Sequence, residues 1–221
     1  MASEVDIYNM ALMRLGNSSQ VSSTSESSPE ARACNTFYAQ CRDTMLRDFP
    51  WGFARRRVSL AQTADTAPTN WHYVFGYPSD CLRLLGMVLP GSRQPLTSQE
   101  VPFQLGFNGT NRVIYCDTTI PEAVYTARVV DPTQFDPIFA SALAMFLASE
   151  IAMPLAVKPD LAGALKQSYA LMMNTAAVAD ASETFLGQEP DGEIVQIRGL
   201  GPLYPNSDGP WVPTNGGFTV G

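Results

Sequence analysis

The single histidine limits the catalytic devices that this chain could carry. A Ser-His-Asp or Cys-His arrangement would have to use His72. His72 lies in NWHYVFGYP, between aromatic residues of a predicted strand, so a structural or interface role is the simpler interpretation. We therefore expect no catalytic residue and no enzymatic activity.

The cysteines do not form a recognisable metal site. The chain has four, Cys34, Cys41, Cys81 and Cys116, with no CxxC pair and no zinc-binding spacing to His72. Cys34 and Cys41 are seven residues apart, on one face of a predicted helix. The pattern predicts buried, reduced thiols and indicates neither a metal nor a cofactor.

The other motifs that could indicate catalysis or phosphate binding give equally weak evidence. Two carboxylate pairs, Asp43 with Asp48 and Asp131 with Asp136, could serve glycosidase chemistry only across a cleft that the sequence does not reveal. Asp136 is better explained as a helix cap. The stretch GLGPLYPNSDG lacks the Lys-Ser/Thr ending of a phosphate-binding loop.

Arg55, Arg56 and Arg57 form the only basic cluster. Side chains alternate along a strand, so the three cannot all face one row of DNA phosphates. Phosphate binding, ion pairs with another subunit and solvent exposure stay open as interpretations, and we expect ion pairs. Trp51 and Phe53, beside Pro50, are predicted to join a helical core to a sheet.

Composition describes an acidic protein of ordinary globular character. The 221 residues are 45% hydrophobic, the formal net charge is −7 and the pI is about 4.6, which argues against ordinary nucleic-acid binding. The sequence shows neither a run of about 20 apolar residues nor a basic and apolar signal segment at its start, so we expect a soluble protein without a membrane span. Only Lys158 and Lys166 of the 14 basic residues are lysines, a bias that favours fixed interface ion pairs.

Two helices are predicted near the start of the chain. Ser3 can cap the first, with Asp6 reaching back, and Gly16 ends it after a stripe of Tyr8, Ala11, Leu12 and Leu15. Ser28 and Pro29 are typical of N-cap and N1 positions, and the second helix runs until Pro50. The two could pack as a hairpin.

Between Arg55 and Val130 the pattern changes to short strands. The predicted strands are RRRVSLA, YVFGY, CLRLLGMVL, RVIYC and AVYTARVV. Turns are predicted at Pro90, Gly91, Pro95, Pro102, Gly106 and Gly109. The pattern indicates a small antiparallel sandwich or barrel.

Helical periodicity returns at Asp136 and Pro137. The segment PIFASALAMFLASEIAM has few polar residues, so it is expected at the centre of a bundle. Pro154 and Pro159 are predicted to bracket the link to a fourth helix that runs to about Phe185. The prediction is an α+β fold: a four-helix bundle from residues 1–54 and 131–186, a β insertion at 55–130 and an extended arm at 187–221.

The arm combines helix breakers with large apolar side chains. Residues 187–221 contain eight Gly and five Pro, which is typical of a flexible terminus. They also contain ten bulky apolar residues: Ile194, Val195, Ile197, Leu200, Leu203, Tyr204, Trp211, Val212, Phe218 and Val220. Flexible linkers lack such residues, so the arm is predicted to lie in grooves on another protein.

Five collinear blocks carry a resemblance to a known family. The most informative is RDTMLRDFPWGFARRRVSLA at 42–61, in which an Arg-Asp helix end precedes Pro-Trp-x-Phe-Ala and a basic strand. The others are SEVDIYNMALMRLG at 3–16, SPEARACNTFY at 28–38, YVFGYPSDCLRLL at 73–85 and ARVVDPTQFDPIFASALAMFLASEIAMPL at 127–155. A looser match is AVADASETF at 177–185. Together these blocks resemble the phage head-to-tail adaptors, the tail tubular protein A or connector-ring family of short-tailed phages.

The resemblance implies a structural protein of the virion neck, made in the host cytoplasm. It implies a homo-oligomer, a twelve-copy ring attached below the portal protein, which extends the DNA channel and receives the next tail component, a nozzle or tail tube protein. Genome DNA would pass through the lumen without sequence-specific binding.

The arm matches the family poorly, so its partner follows only from the family's position in the particle. We expect Leu203, Tyr204, Trp211, Val212 and Phe218 to bind the portal or, as second choice, a neighbouring subunit. Arg55, Arg56 and Arg57 are expected in inter-subunit or portal ion pairs. The alternatives are a more distal tail-completion or minor tail protein and a tail-associated cell-wall hydrolase.

Overall fold

A computed structural model describes residues 3–92, 101–156 and 159–183 of the chain. This part is α+β, with four helices and two antiparallel three-stranded sheets. The elements are α1 (Glu4–Arg14), α2 (Pro29–Asp48), β1 (Arg55–Ser59), β2 (Tyr73–Gly76), β3 (Cys81–Val88), β4 (Phe103–Phe107), β5 (Arg112–Cys116), β6 (Glu122–Ala127), α3 (Pro137–Ala156) and α4 (Pro159–Glu183).

The predicted starts of α1 and α2 are confirmed. The Ser3 side chain accepts a hydrogen bond from the Asp6 amide at 3.1 Å, and Asp6 accepts from the Ser3 amide at 2.9 Å, which completes a capping box. Ser28 caps α2 with Pro29 in its first turn. Gly16 follows α1 with φ of +73°, a left-handed conformation that glycine adopts without strain.

Helix α3 is the hub of the helical part. It packs against α1, α2 and α4, and the backbones of α1 and α2 approach α3 more extensively than they approach each other. Tyr8 of α1 and Tyr38 of α2 nevertheless touch directly, with ring centres 5.3 Å apart. Asp136 Oδ1 accepts hydrogen bonds from the amides of Ile138 and Phe139, as expected of a cap. Arg14 ties α1 to α3 by donating to the Ser141 carbonyl at 2.6 Å.

The prediction that Pro154 ends α3 is wrong. The helix continues through Pro154 to Ala156. Pro154 has no amide hydrogen and so cannot donate the usual helical hydrogen bond to the Glu150 carbonyl, and the helix extends only two residues beyond it. The segment Pro137–Leu155 is long and apolar enough to cross a membrane by length and composition, with a mean hydropathy of 1.8, but 56% of its most apolar window is buried inside the protein.

Helix α4 packs along α3. The rings of Phe146 and Tyr169 stack at 4.8 Å, and the Lys166 ammonium lies 3.1 Å from the Glu150 carboxylate. An aromatic contact and an ion pair therefore both join α3 to α4.

The strands form two sheets of order β1-β6-β3 and β2-β5-β4. Five of the six strands were predicted, and β4 was not. The prediction of a turn at Gly106 is wrong, because Gly106 lies within β4, opposite Val113 of β5. A Cβ at this position would lie 2.2 Å from the ring of Tyr115, so a larger residue here would require that ring to move.

Backbone hydrogen bonds outside the strands connect the two sheets at both margins. On one side the Val101 amide donates to the Met87 carbonyl at 2.9 Å. On the other, the chain that follows β1 runs beside β2, and the Thr63 amide donates to the Val74 carbonyl at 2.8 Å. The two sheets therefore belong to one continuous hydrogen-bonded structure.

An aromatic cluster joins the helices to the start of the sheet, as predicted for Trp51 and Phe53. Trp51 is 2% exposed, and its indole donates to the Met45 carbonyl at 3.1 Å. Its ring meets Phe139 of α3 edge-on at 5.1 Å, and Phe53 meets the same ring at 5.2 Å. Two aromatic residues next to a proline thus fix where α2 ends and β1 begins.

Candidate assembly surface

Strand β1 is exposed along its whole length. All five residues, Arg55–Ser59, are exposed, although β1 pairs with β6 along one edge. In the part of the chain that the structure describes, no strand pairs with the other edge of this segment. Unpaired backbone groups on an edge strand are available to another chain, so β1 is a candidate interface.

The three arginines of β1 occupy consecutive strand positions, so they alternate between the two faces of the strand. Arg55 lies opposite Thr126 and Arg57 opposite Val124, whereas Arg56 lies opposite Tyr125. The sequence argument that they cannot form one basic row is therefore confirmed.

The arginines also differ in their partners. Arg56 pairs with Asp80 at 2.9 Å, and Arg57 pairs with Glu122 and donates to the Leu89 carbonyl at 3.2 Å. Arg55 makes one long hydrogen bond, 3.5 Å, to the Pro50 carbonyl, and no ion pair joins it to a described carboxylate. Of the three β1 arginines, Arg55 thus has the most unused hydrogen-bonding capacity for a second molecule.

Exposed apolar side chains lie near the C-terminal end of β1, at Ser59. The register places Ser59 opposite Glu122 and Glu122 opposite Val88, so residues within two positions of these three lie near one end of the sheet. They include Val58, Leu89 and Ile120, which are 40%, 47% and 62% exposed. With Arg55–Arg57 they form a mixed surface of the kind found at protein interfaces, and we call it the β1 surface.

Arginines also hold the C-terminal end of α2 against the first sheet. Arg47 donates to the Leu82 carbonyl at 2.9 Å, and Arg83 donates to the carbonyls of Arg47 and Asp48 at 3.4 and 3.3 Å. The last carbonyls of a helix lack intrahelical donors and carry partial negative charge. A guanidinium at this end donates hydrogen bonds to these carbonyls and balances their charge.

Asp43 completes this joint. Its Oδ1 accepts from the buried Arg42 at 2.8 Å, and its Oδ2 lies 2.9 Å from Nε of Arg128, which follows β6. The Arg128 amide donates to the Asp80 carbonyl at 2.7 Å. The β1 surface is therefore carried by a sheet that is fixed to α2 by charge-assisted bonds.

His72 pairs with Asp117 outside the β1 surface. The distance from Nδ1 to Oδ1 is 2.7 Å, and both side chains are largely exposed. Hydrogen bonds from His72 lower the pKa of Asp117. Among the residues that the structure describes, no cluster of three or more His, Cys, Asp or Glu could hold a metal ion.

The remaining candidate groups have structural surroundings. Asp131 and Asp136 accept hydrogen bonds from the amides of the helical turns that follow them. All four cysteines are buried and free, as predicted. Burial raises the pKa of the Cys34 and Cys41 thiols to about 12, so both are protonated at neutral pH.

The predicted arm residues Leu203, Tyr204, Trp211, Val212 and Phe218 lie outside the described residues. Sequence reasoning missed Arg47, Arg83 and Arg128 as joint residues, because their partners are distant in sequence. The only available signal was the excess of arginine over lysine.

The chain matches no protein-family model, and comparison with curated proteins finds no significant similarity.

Proposed function

We propose that this chain is the head-to-tail adaptor of a bacteriophage, a structural protein without enzymatic activity. It forms a twelve-copy ring in the virion neck, below the portal protein, and extends the DNA channel towards the tail. The next component, a nozzle or tail tube protein, docks on its other side. The proposal is supported by the five collinear blocks that resemble the adaptor family.

The observation that carries the proposal is the composition of the arm. Ten bulky apolar residues lie among 13 glycines and prolines in residues 187–221. Such a segment buries its side chains best on a partner, and its prolines reduce the entropy lost on binding. Leu203, Tyr204, Trp211, Val212 and Phe218 bind the portal.

At the level of fold, we infer that α1 to α4 form a four-helix bundle and that the six strands form a small barrel inserted into it. The position of α3 among the other helices supports the bundle. The hydrogen bonds at both margins of the two sheets support a closed barrel.

The β1 surface serves contacts between neighbouring subunits of the ring. Its edge and exposed apolar residues suit a neighbouring chain, and Arg55 pairs with a carboxylate of that chain. Arg56 and Arg57 keep their ion pairs with Asp80 and Glu122. Their guanidinium N–H groups that face away from these carboxylates bind the neighbouring chain.

The net charge of −7 suits a protein through which DNA must pass. A basic lining would bind phosphates and slow ejection, because each phosphate contact adds to affinity. Twelve arms that engage one portal also convert a modest affinity per arm into a long-lived attachment.

Deletion of residues 187–221 tests the proposal. We expect the truncated chain to remain folded by circular dichroism and to lose attachment to DNA-filled capsids in a sedimentation assay. The double variant Trp211→Ala, Phe218→Ala is expected to weaken attachment, whereas the matched arm variant Asn206→Ala, Ser207→Ala leaves it unchanged. Normal attachment of the truncated chain contradicts the proposal.

Particle stoichiometry separates the adaptor from other tail proteins. Mass measurement of isolated necks should give twelve copies, whereas six or three copies indicate a more distal tail component. A hydrolase is indicated instead if His72→Ala abolishes glycan cleavage and leaves assembly intact.

A further inference from the structure

An open cleft of about 470 Å³, lined by both polar and apolar groups, lies at one end of the second sheet. It is bounded by the β4–β5 turn, by the residues that follow β2 and by the segment at Thr63 and Asp65. Its volume falls within the range of small-ligand sites. The cleft belongs neither to the β1 surface nor to the arm.

Arg112 is an exposed residue that lines this cleft and lies over the Tyr77 ring. Its Cζ lies 4.7 Å from the centre of the Tyr77 ring, and no hydrogen bond or ion pair joins its N–H groups to a described residue. Tyr77 is fixed, because its amide donates to the Arg112 carbonyl at 3.3 Å and its hydroxyl accepts from the Cys81 thiol at 3.1 Å. A planar guanidinium with free donors suits the two oxygens of a carboxylate.

Asp65 contributes the opposite charge to the same cleft. Its Oδ2 accepts hydrogen bonds from Asn108 Nδ2 at 2.9 Å and from Thr63 Oγ1 at 3.0 Å. Asn108 begins a tight turn in which Gly109 has a φ of +94°. Among the described ion pairs none joins Asp65 to Arg112, so each retains its charge for a ligand.

These two groups together restrict the ligand. A carboxylate alone would pair with Arg112 but would donate no hydrogen bond to Asp65, which lines the same cleft. A neutral sugar would satisfy Asp65 with its hydroxyls but would leave Arg112 without an anion. The floor at Gly76 is open, since a Cβ there would come no closer than 3.9 Å to Thr63.

We propose that this cleft binds a small sugar acid: its carboxylate pairs with Arg112 and its hydroxyls donate to Asp65. The side-chain amide of Asn111 and the hydroxyl of Ser79 supply further polar contacts around the ring. A uronic acid is the simplest ligand with both groups. This binding is independent of the proposed role in the virion neck.

The test is an NMR titration of the full ¹⁵N-labelled chain with sodium glucuronate. We expect saturable shifts of the Arg112 Nε–H and Asn108 side-chain amide signals. Glucose, which lacks the carboxylate, and acetylglutamic acid amide, which lacks the hydroxyls, should each bind at least about tenfold more weakly, because each loses a charge-assisted set of hydrogen bonds.

Matched variants complete the test. Arg112→Gln should weaken glucuronate binding by about tenfold or more, whereas Arg32→Gln, at an exposed arginine of α2, should not change it. Absence of saturable shifts, or equal binding by both variants, overturns the proposal. Equal affinity for acetylglutamic acid amide also overturns it, in favour of an acidic protein side chain. Capsid attachment of Arg112→Gln should be normal, so the outcome is independent of the adaptor proposal.

Discussion

At the scale of single residues, Tyr8 and Tyr38 are buried to nearly the same extent, but only the Tyr8 hydroxyl has a hydrogen-bond partner among the described residues. Their rings meet edge-on at 5.3 Å, and both are almost fully buried. The Tyr8 hydroxyl donates to Asn35 Oδ1 at 2.9 Å, whereas the Tyr38 hydroxyl has no hydrogen-bond partner among the described residues. A buried hydroxyl without a partner costs desolvation free energy that a bonded one recovers.

Replacing each tyrosine by phenylalanine tests this difference. We expect Tyr8→Phe to lower the free energy of unfolding by about 1 kcal/mol, because it removes a hydrogen bond. Tyr38→Phe should leave that free energy unchanged or raise it by up to about 1 kcal/mol. Urea unfolding followed by circular dichroism measures both. A loss in Tyr38→Phe as large as in Tyr8→Phe contradicts the assignment.

Local signals could be predicted from the sequence at this scale, and distant partners could not. Ser3, Ser28 and Asp136 were recognised because a cap acts on amides two or three residues away. The Asn35 partner of Tyr8 and the missing partner of Tyr38 depend on how two helices are placed, which no local pattern specifies.

At the scale of elements, the joint between α2 and the first sheet depends on Asp43. Its carboxylate is shared by the buried Arg42 and the half-exposed Arg128. We expect Asp43→Ala to lower the free energy of unfolding by about 2–3 kcal/mol, because a buried guanidinium loses its counter-ion at a site that solvent partly screens. Thermal and urea unfolding measure the loss.

Asp48→Ala is the matched control for this prediction. Asp48 is an exposed carboxylate on the last turn of the same helix, and only its carbonyl takes part in the joint. Its replacement should change stability by less than about 0.5 kcal/mol. In an Asp43→Ala background, Arg42→Met should recover part of the loss by removing the unpaired charge. Equal stability of Asp43→Ala and Asp48→Ala would show that the joint does not depend on this pair.

The elements themselves were largely predictable, with two informative exceptions. Strand β4 is not predicted because Pro102 and Gly106 are typical of turns, yet within the strand Gly106 leaves room for the ring of Tyr115 on the neighbouring strand. Pro154 is typical of a helix end, yet α3 continues for two residues beyond it. Both exceptions arise from tertiary or positional context that overrides residue preference.

At the scale of the whole molecule, buried tyrosines and cysteines set the response to alkaline pH. Burial raises the pKa of Tyr77, Tyr125 and Tyr169 to about 12 from the ordinary value of 10.0, and of Cys34 and Cys41 to about 12 from 9.0. The unfolded chain therefore ionises these groups at lower pH than the folded one. Their contribution to stability is complete below about pH 9 and is lost as the pH rises towards 12.

We accordingly expect the urea midpoint to be constant between about pH 7 and 8.5 and to fall steadily above about pH 10. Tyrosinate absorbance should rise together with the loss of helical circular dichroism, because most buried tyrosines ionise only on unfolding. Titration of these tyrosines near their ordinary pKa while the helical signal persists would contradict the prediction.

The central position of α3 has a consequence for synthesis of the chain. Helices α1 and α2 bury their stripes mainly against α3, which starts at Pro137, long after α2 ends at Asp48. At roughly 5–20 residues per second, a ribosome needs about 4–18 seconds to make the intervening segment. During that interval the two nascent helices lack the helix against which they bury most of their apolar side chains, so holding chaperones would act on the emerging amino-terminal half, and helical folding would be completed late in translation.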